Sequence, residues 1–278
     1  MNPKNHRNRP KADSGFSLVE IAIGLVILSL AAVGMIASLS KQLEQQKVVE
    51  TRQLVDSARA SLIAFASTNG RLPCPANATS AGQESILSAV GSVVTCTAEN
   101  GFLPAVTLGL PNLDANGLLP DAFADGAGTG NGTYLRSVMY GISSLAAPVA
   151  NALTSPALGL PGASNRRQQI QAAINTGQAV FVCRSAAGAG AGINRCGSAA
   201  NTLSANAVAV VWSRGINGNN PASYSADETQ NTTHAIARVF VSRDFAPPDA
   251  TGGQFDDIVS WISFPVIADR LLVGGHVM

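Results

Sequence analysis

Residues Gly15-Phe16-Ser17-Leu18-Val19-Glu20 stand at the head of an apolar run, Ile21 to Leu39, that carries no charged side chain. A run of that length is sufficient for a membrane-crossing helix. Insertion alone does not explain Glu20. A carboxylate inside such a helix costs about 2.5–3.5 kcal/mol, so it marks a function and needs a partner. In the first helical turn it faces the positive end of the helix dipole, and a cationic amine nearby would offset its desolvation. An ordinary secretory signal has a shorter apolar stretch followed by its cut site. A plain anchor has no use for the glutamate.

The preceding segment, Met1 to Gly15, carries Lys4, Arg7, Arg9 and Lys11 against Asp13. Such a positive bias holds a segment in the cytoplasm and places the rest of the chain on the other side of the membrane. Removing it takes the chain from 18 basic and 17 acidic residues to 14 and 16, a net charge of −2. The processed product therefore has no basic excess of the kind that nucleic-acid binding uses.

Gly15 through Glu20 and the apolar run resemble the N-terminus of the type IV prepilin family, which includes the pseudopilins of type II secretion. The resemblance implies that a prepilin peptidase cuts after Gly15 and that the new amine on Phe16 is N-methylated. It implies that Glu20 pairs with such an amine, on a neighbouring subunit. The fold it implies is α+β and pilin-like: a long N-terminal helix packed on a mostly antiparallel sheet, with loop-rich insertions. The expected organisation is a leader over 1–15, a helix over 16–69 and a periplasmic head over 70–278. Within the helix, 16–39 is expected to span the inner membrane and 40–69 to be amphipathic. The implied partners are the peptidase, other pilin or pseudopilin subunits, the inner-membrane assembly platform and the lipid bilayer.

The helix is read over Phe16 to Ser67. Gly24 and Gly34 thin its apolar part and permit close packing. Beyond Lys41, the residues Val48, Thr51, Val55, Ala58, Leu62 and Phe65 follow steps of three and four and share a face. Lys47, Glu50, Asp56 and Arg59 occupy the opposite face. The stripe is read as core that seats a head. Asn69-Gly70 supplies the stop, with Gly70 able to take the left-handed cap.

From Gly70 to Pro161 the chain has little periodicity. Asn100 to Leu110 and Asn116 to Phe123 read as ordered loops with apolar anchors, and both resemble the segment that follows the long helix in pseudopilins. Tyr134 to Ser143 is an expected strand. Asn165 to Asn175 is an expected helix, capped by Ser164 and Gly177. Strands are expected at Gln178–Cys183, Ala207–Ser213, Ala235–Ser242 and Ile258–Phe264, with a final helix at Ile267–Val273.

The four cysteines, Cys74, Cys96, Cys183 and Cys196, form two pairs that are close in sequence. In an exported chain this points to Cys74–Cys96 and Cys183–Cys196, with the other two connectivities open. No pair has zinc-site spacing.

Trp212 to Asn219 and Phe255 to Trp261 resemble the Trp-Ser-x-Gly-x-Asp-Gly turn and the later Asp-Ile-x-x-Trp of major pseudopilins, where the loop between them holds calcium. Here Asn217 replaces the aspartate of the turn, and the intervening stretch is longer. Asn217, Asn219, Asp256 and Asp257 could supply part of the oxygen set that calcium needs. The competing reading is a glycine turn followed by a cap. Asp256 and Asp257, if on a strand, point to opposite faces and do not share a proton.

A dinucleotide fingerprint needs a strand before it, a helix after it and an acidic residue further on; Gly188 to Gly192 lies inside the expected Cys183–Cys196 loop with no room for that helix, Gly126 to Gly130 follows a loop and has no Lys-Ser/Thr, and both read as surface loops. His6, His234 and His276 are scattered. No catalytic set emerges, so no enzyme is expected. A processed length of 263 residues (278 less the 15 of the leader) is large for a major filament subunit. Ala37 stands where major pilins often have a kinking proline. The size, with its loop-rich insertions, points to a minor pilin or a specialised pseudopilin, and Ala37 favours the pseudopilin side. The alternative is an exported adhesion or binding module for which the helix is only a tether.

Overall fold

The computed structural model describes residues 17–90, 93–124, 136–143 and 179–276, without the side chains of 30–40, 90 and 93. The cleavage position at Gly15 and Phe16, the glycine loop at 126–130 and the expected helix at 165–175 lie outside these residues. The chain divides into two compact units, 1–46 and 47–278.

Helix α1 runs Leu18–Asn69. In its C-terminal part Thr51, Val55, Ala58, Leu62 and Ala66 are fully buried, in steps of four, three, four and four. Phe65 is only half-buried, because Ala66 takes the last inward position. Arg59, expected on the solvent face, is half-buried and donates from Nε to the Trp261 carbonyl at 2.8 Å. The helix stops at Gly70, whose φ is +68°. The His276 ring fills the space where a Cβ on Gly70 would sit, and its Nε2 lies 2.9 Å from the Ser67 carbonyl. The end of the chain is thereby fastened to the end of the helix.

The second unit is α+β. A hairpin, β1 (Ile86–Val90) and β2 (Val93–Cys96), stands apart from a six-stranded sheet. That sheet comprises β3 (Asn100–Phe102), β4 (Met139–Ile142), β5 (Val180–Cys183), β6 (Thr202–Ser213), β7 (Val239–Val241) and β8 (Ile258–Ser263). Its order is β3-β4-β6-β5-β7, with β8 on β6. Pairing is antiparallel except between β5 and β7. Two further helices are α2 (Ala226–Thr233) and α3 (Phe264–Val273).

β6 is the spine of the sheet. Ala209 pairs with Ile142 of β4 on one side and Ile262 of β8 on the other, while Ala207 pairs with Val180 and Ser263. β4 and β5 therefore lie end to end along one edge of β6. The inner face of α1 packs with Val138, Tyr140, Val208, Val211 and Ile262 in one core. Met139, Val182, Val210, Trp212 and Phe240 form a second core, on the other face.

The structure corrects several expectations. Asn100–Phe102 is a short edge strand rather than loop. The expected strand Ala235–Ser242 contracts to Val239–Val241. Arg238 has φ +60°, which breaks an extended run, and the Gln230 amide binds both Ile236 and Val239 backbones. The final helix begins earlier, at Phe264, with Pro265 in its first turn, where the missing N–H costs nothing. Helix α2 and the β1–β2 hairpin were not expected. Cys74 bonds Cys96 and Cys183 bonds Cys196, which closes the question of connectivity.

Candidate functional site

Glu20 lies in the first turn of α1, where its Oε2 accepts from the Ser17 backbone N–H at 3.1 Å. The Ser17 hydroxyl accepts from the Val19 N–H at 3.4 Å. A carboxylate at this position satisfies one of the donors that a helix start leaves open. Among the described residues no helix is long and apolar enough to cross a membrane. The apolar run continues through residues 30–40, whose side chains are not among those described.

A second constellation lies at the far end of β6. The turn after the strand passes through Gly215, φ +63°, where a Cβ would come 2.2 Å from the Asp256 carbonyl. Only glycine lets the segment ahead of β8 approach so closely. Asn217 follows on this turn, its backbone N–H donating to Asp256 Oδ2 at 3.3 Å and its Nδ2 to Glu228 Oε2 at 3.2 Å. Glu228 is the third residue of α2. It forms a capping box with Ser225, accepting from the Ser225 N–H at 2.8 Å, and it accepts from the Asp256 N–H through Oε1 at 3.0 Å. Asp257 Oδ2 accepts from Asn231 Nδ2 at 2.8 Å.

Glu228, Asp256 and Asp257 thus bring carboxylate oxygens within 4.8 Å of one another, all buried. Of the four oxygen donors expected from sequence, the structure gathers Asn217, Asp256 and Asp257, and leaves Asn219 exposed outside the cluster. It adds Glu228, which sequence reasoning missed. Asp256 and Asp257 precede β8 rather than lying on it, so strand alternation does not separate them. Burial and then the Glu228 charge push Asp256 up from 3.8 to about 7. Burial likewise raises Asp257 well above the usual carboxylate range, despite the Asn231 bond. Arg214, 9% exposed, is drawn electrostatically to Asp257 and Asp121.

Two acceptors in the cluster are left unmatched. Asp256 Oδ1 and Asn217 Oδ1 are buried and have no hydrogen-bond partner among the described residues. Buried polar atoms in folded proteins are nearly always paired. Three carboxylates and an amide oxygen, two of the oxygens lacking donors, fit a hard divalent cation whose remaining ligands are waters.

The other expected groups are dispersed. His234 caps the end of α2 in a left-handed conformation and meets Trp212 edge-on at 5.4 Å. Its burial, helped by the Arg214 charge, lowers its pKa to about 4. The 188–192 glycines form a surface loop closed by Cys183–Cys196.

Residues 10–36 match the family model of the prokaryotic N-terminal methylation motif. The chain therefore carries the prepilin-type cleavage and methylation signal. No curated protein and no solved structure matches the chain.

Proposed function

We propose that this chain is a pilin-like structural subunit, a minor pilin or pseudopilin. It is held in the inner membrane with its head in the periplasm, cut after Gly15 by a prepilin peptidase and N-methylated on Phe16. It then assembles through its apolar helix into a type IV pilus or a type II secretion pseudopilus. The observation that carries this reading is the match to the methylation motif at 10–36, with Glu20 in the first helical turn ahead of an uncharged apolar run. Removing the leader exposes a cationic amine four residues from Glu20. The Ser17 bond at 3.1 Å engages Glu20 within its own helix; assembly exchanges part of that cap for a neighbour's amine.

Mass spectrometry of the membrane-extracted protein tests the processing step, with a methylated Phe16 terminus as the expected result. Glu20→Ala tests assembly. Cleavage is expected to persist while incorporation into a filament fraction is lost. A product that begins at Met1, or unchanged incorporation of the variant, refutes the reading.

The cluster of Glu228, Asp256 and Asp257, with Asn217, is a divalent-cation site of calcium type. The two unmatched buried oxygens favour this over a plain turn and cap. The cation would neutralise three buried carboxylates and tie the β6 turn, α2 and the approach to β8 together. Its role is to stiffen the head.

A further inference from the structure

Two surface features of the second unit complement each other. The first is a groove of about 530 Å³ between α1 and α3. Its walls are Ala60, Ile63 and Ala64 from α1 and Val266 from α3; Arg59 and Arg270 stand at its rim. The Arg270 side chain is 54% exposed, and Asp269 approaches it only to 3.9 Å. The second feature is the loop after β7. Phe245 is 55% exposed there, between the exposed Asp244 and Asp249. The loop is held in shape from beneath. Ala246 is buried and pairs with Phe255 through two backbone hydrogen bonds of 2.9 Å, and Pro247 and Pro248 follow. Arg243, the neighbouring cation, is engaged by Asp227 at 2.9 Å and by the carbonyls of Gly252, Gly253 and Gln254. The loop therefore presents an aromatic knob between two exposed aspartates for which the described residues supply no ion pair.

We propose that the Asp244–Asp249 loop of one copy docks into the α1–α3 groove of a second copy. Phe245 sits against Ile63 and Val266, and the aspartates face Arg59 and Arg270. The occupant is chosen by charge and shape: an apolar slot rimmed by arginines and an apolar knob rimmed by aspartates, on the same chain. Neither patch complements itself, so the contact is heterologous. Repetition of a heterologous contact builds a ring or, when the rotation does not close, a helical filament. The proposal rests on the pilin-like reading and names the surfaces by which the heads would follow one another in the assembly.

The test uses the full chain, produced in a host that supplies prepilin peptidase, in isolated membranes and in any filament fraction. Formaldehyde reports assembly of any kind. Ala64→Cys combined with Phe245→Cys reports this contact, through an oxidation-dependent ladder of multimers absent from either single variant. The ladder is expected for the double variant. Arg270→Glu and Asp244→Arg are each expected to lower its yield about two- to fivefold, the range an exposed ion pair spans, and to restore it when combined. A formaldehyde ladder without the cysteine ladder overturns the docking while leaving assembly intact. Absence of both overturns assembly and docking together. A Phe245→Cys adduct to a different polypeptide, without self-linkage, also overturns the proposal.

Discussion

Substituting Asp256 by Asn separates a cation site from a merely strained turn. Burial and the Glu228 charge raise the Asp256 carboxyl from 3.8 to about 7. A carboxyl whose folded pKa is raised destabilises the fold once ionised. Its penalty is absent below about pH 4 and grows as pH rises to the folded value. At about 1.4 kcal/mol per tenfold, the penalty has an upper bound of about 4 kcal/mol. In chelator at neutral pH the Asn variant, free of that charge, is therefore expected to melt at a higher temperature than the parent. Calcium narrows that gap. For a Kd of ~10 μM, 1 mM free calcium stabilises the parent by about 2.7 kcal/mol, and for ~0.1 mM by about 1.4 kcal/mol. In a head of this size each kcal/mol moves Tm by about 2–4 °C, so the parent should gain roughly 3–11 °C. The variant should gain little. Differential scanning calorimetry of the detergent-solubilised protein in calcium and in chelator, with magnesium as a control, measures all four values. A parent Tm that is the same in calcium and chelator sinks the argument, as does a variant that keeps the full calcium shift.

Three other outcomes follow from the packing. Leu62 is fully buried where α1 meets the sheet, so Leu62→Ala should cost about 2–5 kcal/mol in denaturant unfolding of the head; a loss under 1 kcal/mol would mean that the helix does not seat the core. Replacing either cysteine pair by serine should cost about 3 kcal/mol, because the loops span 22 and 13 residues and loop entropy rises only slowly with length. Chemical denaturation of the two double variants checks this, and a threefold difference between them would contradict the entropic account. Asp121, raised by burial from 3.8 to about 6 although Ser213 and the Phe123 backbone donate to it, should cost the fold up to about 3 kcal/mol as pH rises from 4 to 6. Asp121→Asn should flatten that part of the stability–pH curve, and an unchanged slope would show that the carboxyl is not the cause.

The features legible in the sequence share one property: their physics is local and apolar. The long helix shows as a run and then a stripe. The buried face from Thr51 to Ala66 departs from the expected stripe only at its last position, where Ala66 displaces Phe65. β6 and β8 were visible as short β-branched runs. The methylation motif was visible because a lone glutamate beside an apolar run is chemically out of place. The hairpin was not visible, and β7 was read too long. The β1–β2 hairpin exposes Ile86 and Leu87 and lacks a clean alternation. β7 is cut short by a left-handed Arg238, a conformation that no neighbouring residue announces.

Helix α2 explains why the acidic cluster was only half read. Its buried side chains are Asp227, Glu228, Gln230 and Asn231, so the inward face is polar and apolar periodicity finds nothing. Each of these residues makes a tertiary contact. Asp227 holds Arg243, Gln230 and Asn231 bind the β7 backbone, and Glu228 reaches Asp256. One sequence signal was available, the Ser225-x-x-Glu228 capping box, which marks a helix start without apolar residues. Recognising it would have placed Glu228 at a helix N-terminus. It would not have placed that terminus beside Asp256, because the approach depends on Gly215 admitting a distant segment. Asn219 illustrates the converse. It sits two residues from Asn217 in an oxygen-rich turn, but the turn directs it to solvent. A helix whose inner face is polar is stable only if each buried group finds a partner. In α2 those partners lie on β7 and on the segment before β8, so the polar face fastens three separated segments into one site. The acidic residue that best completes the cluster belongs to the element with the weakest hydrophobic signal.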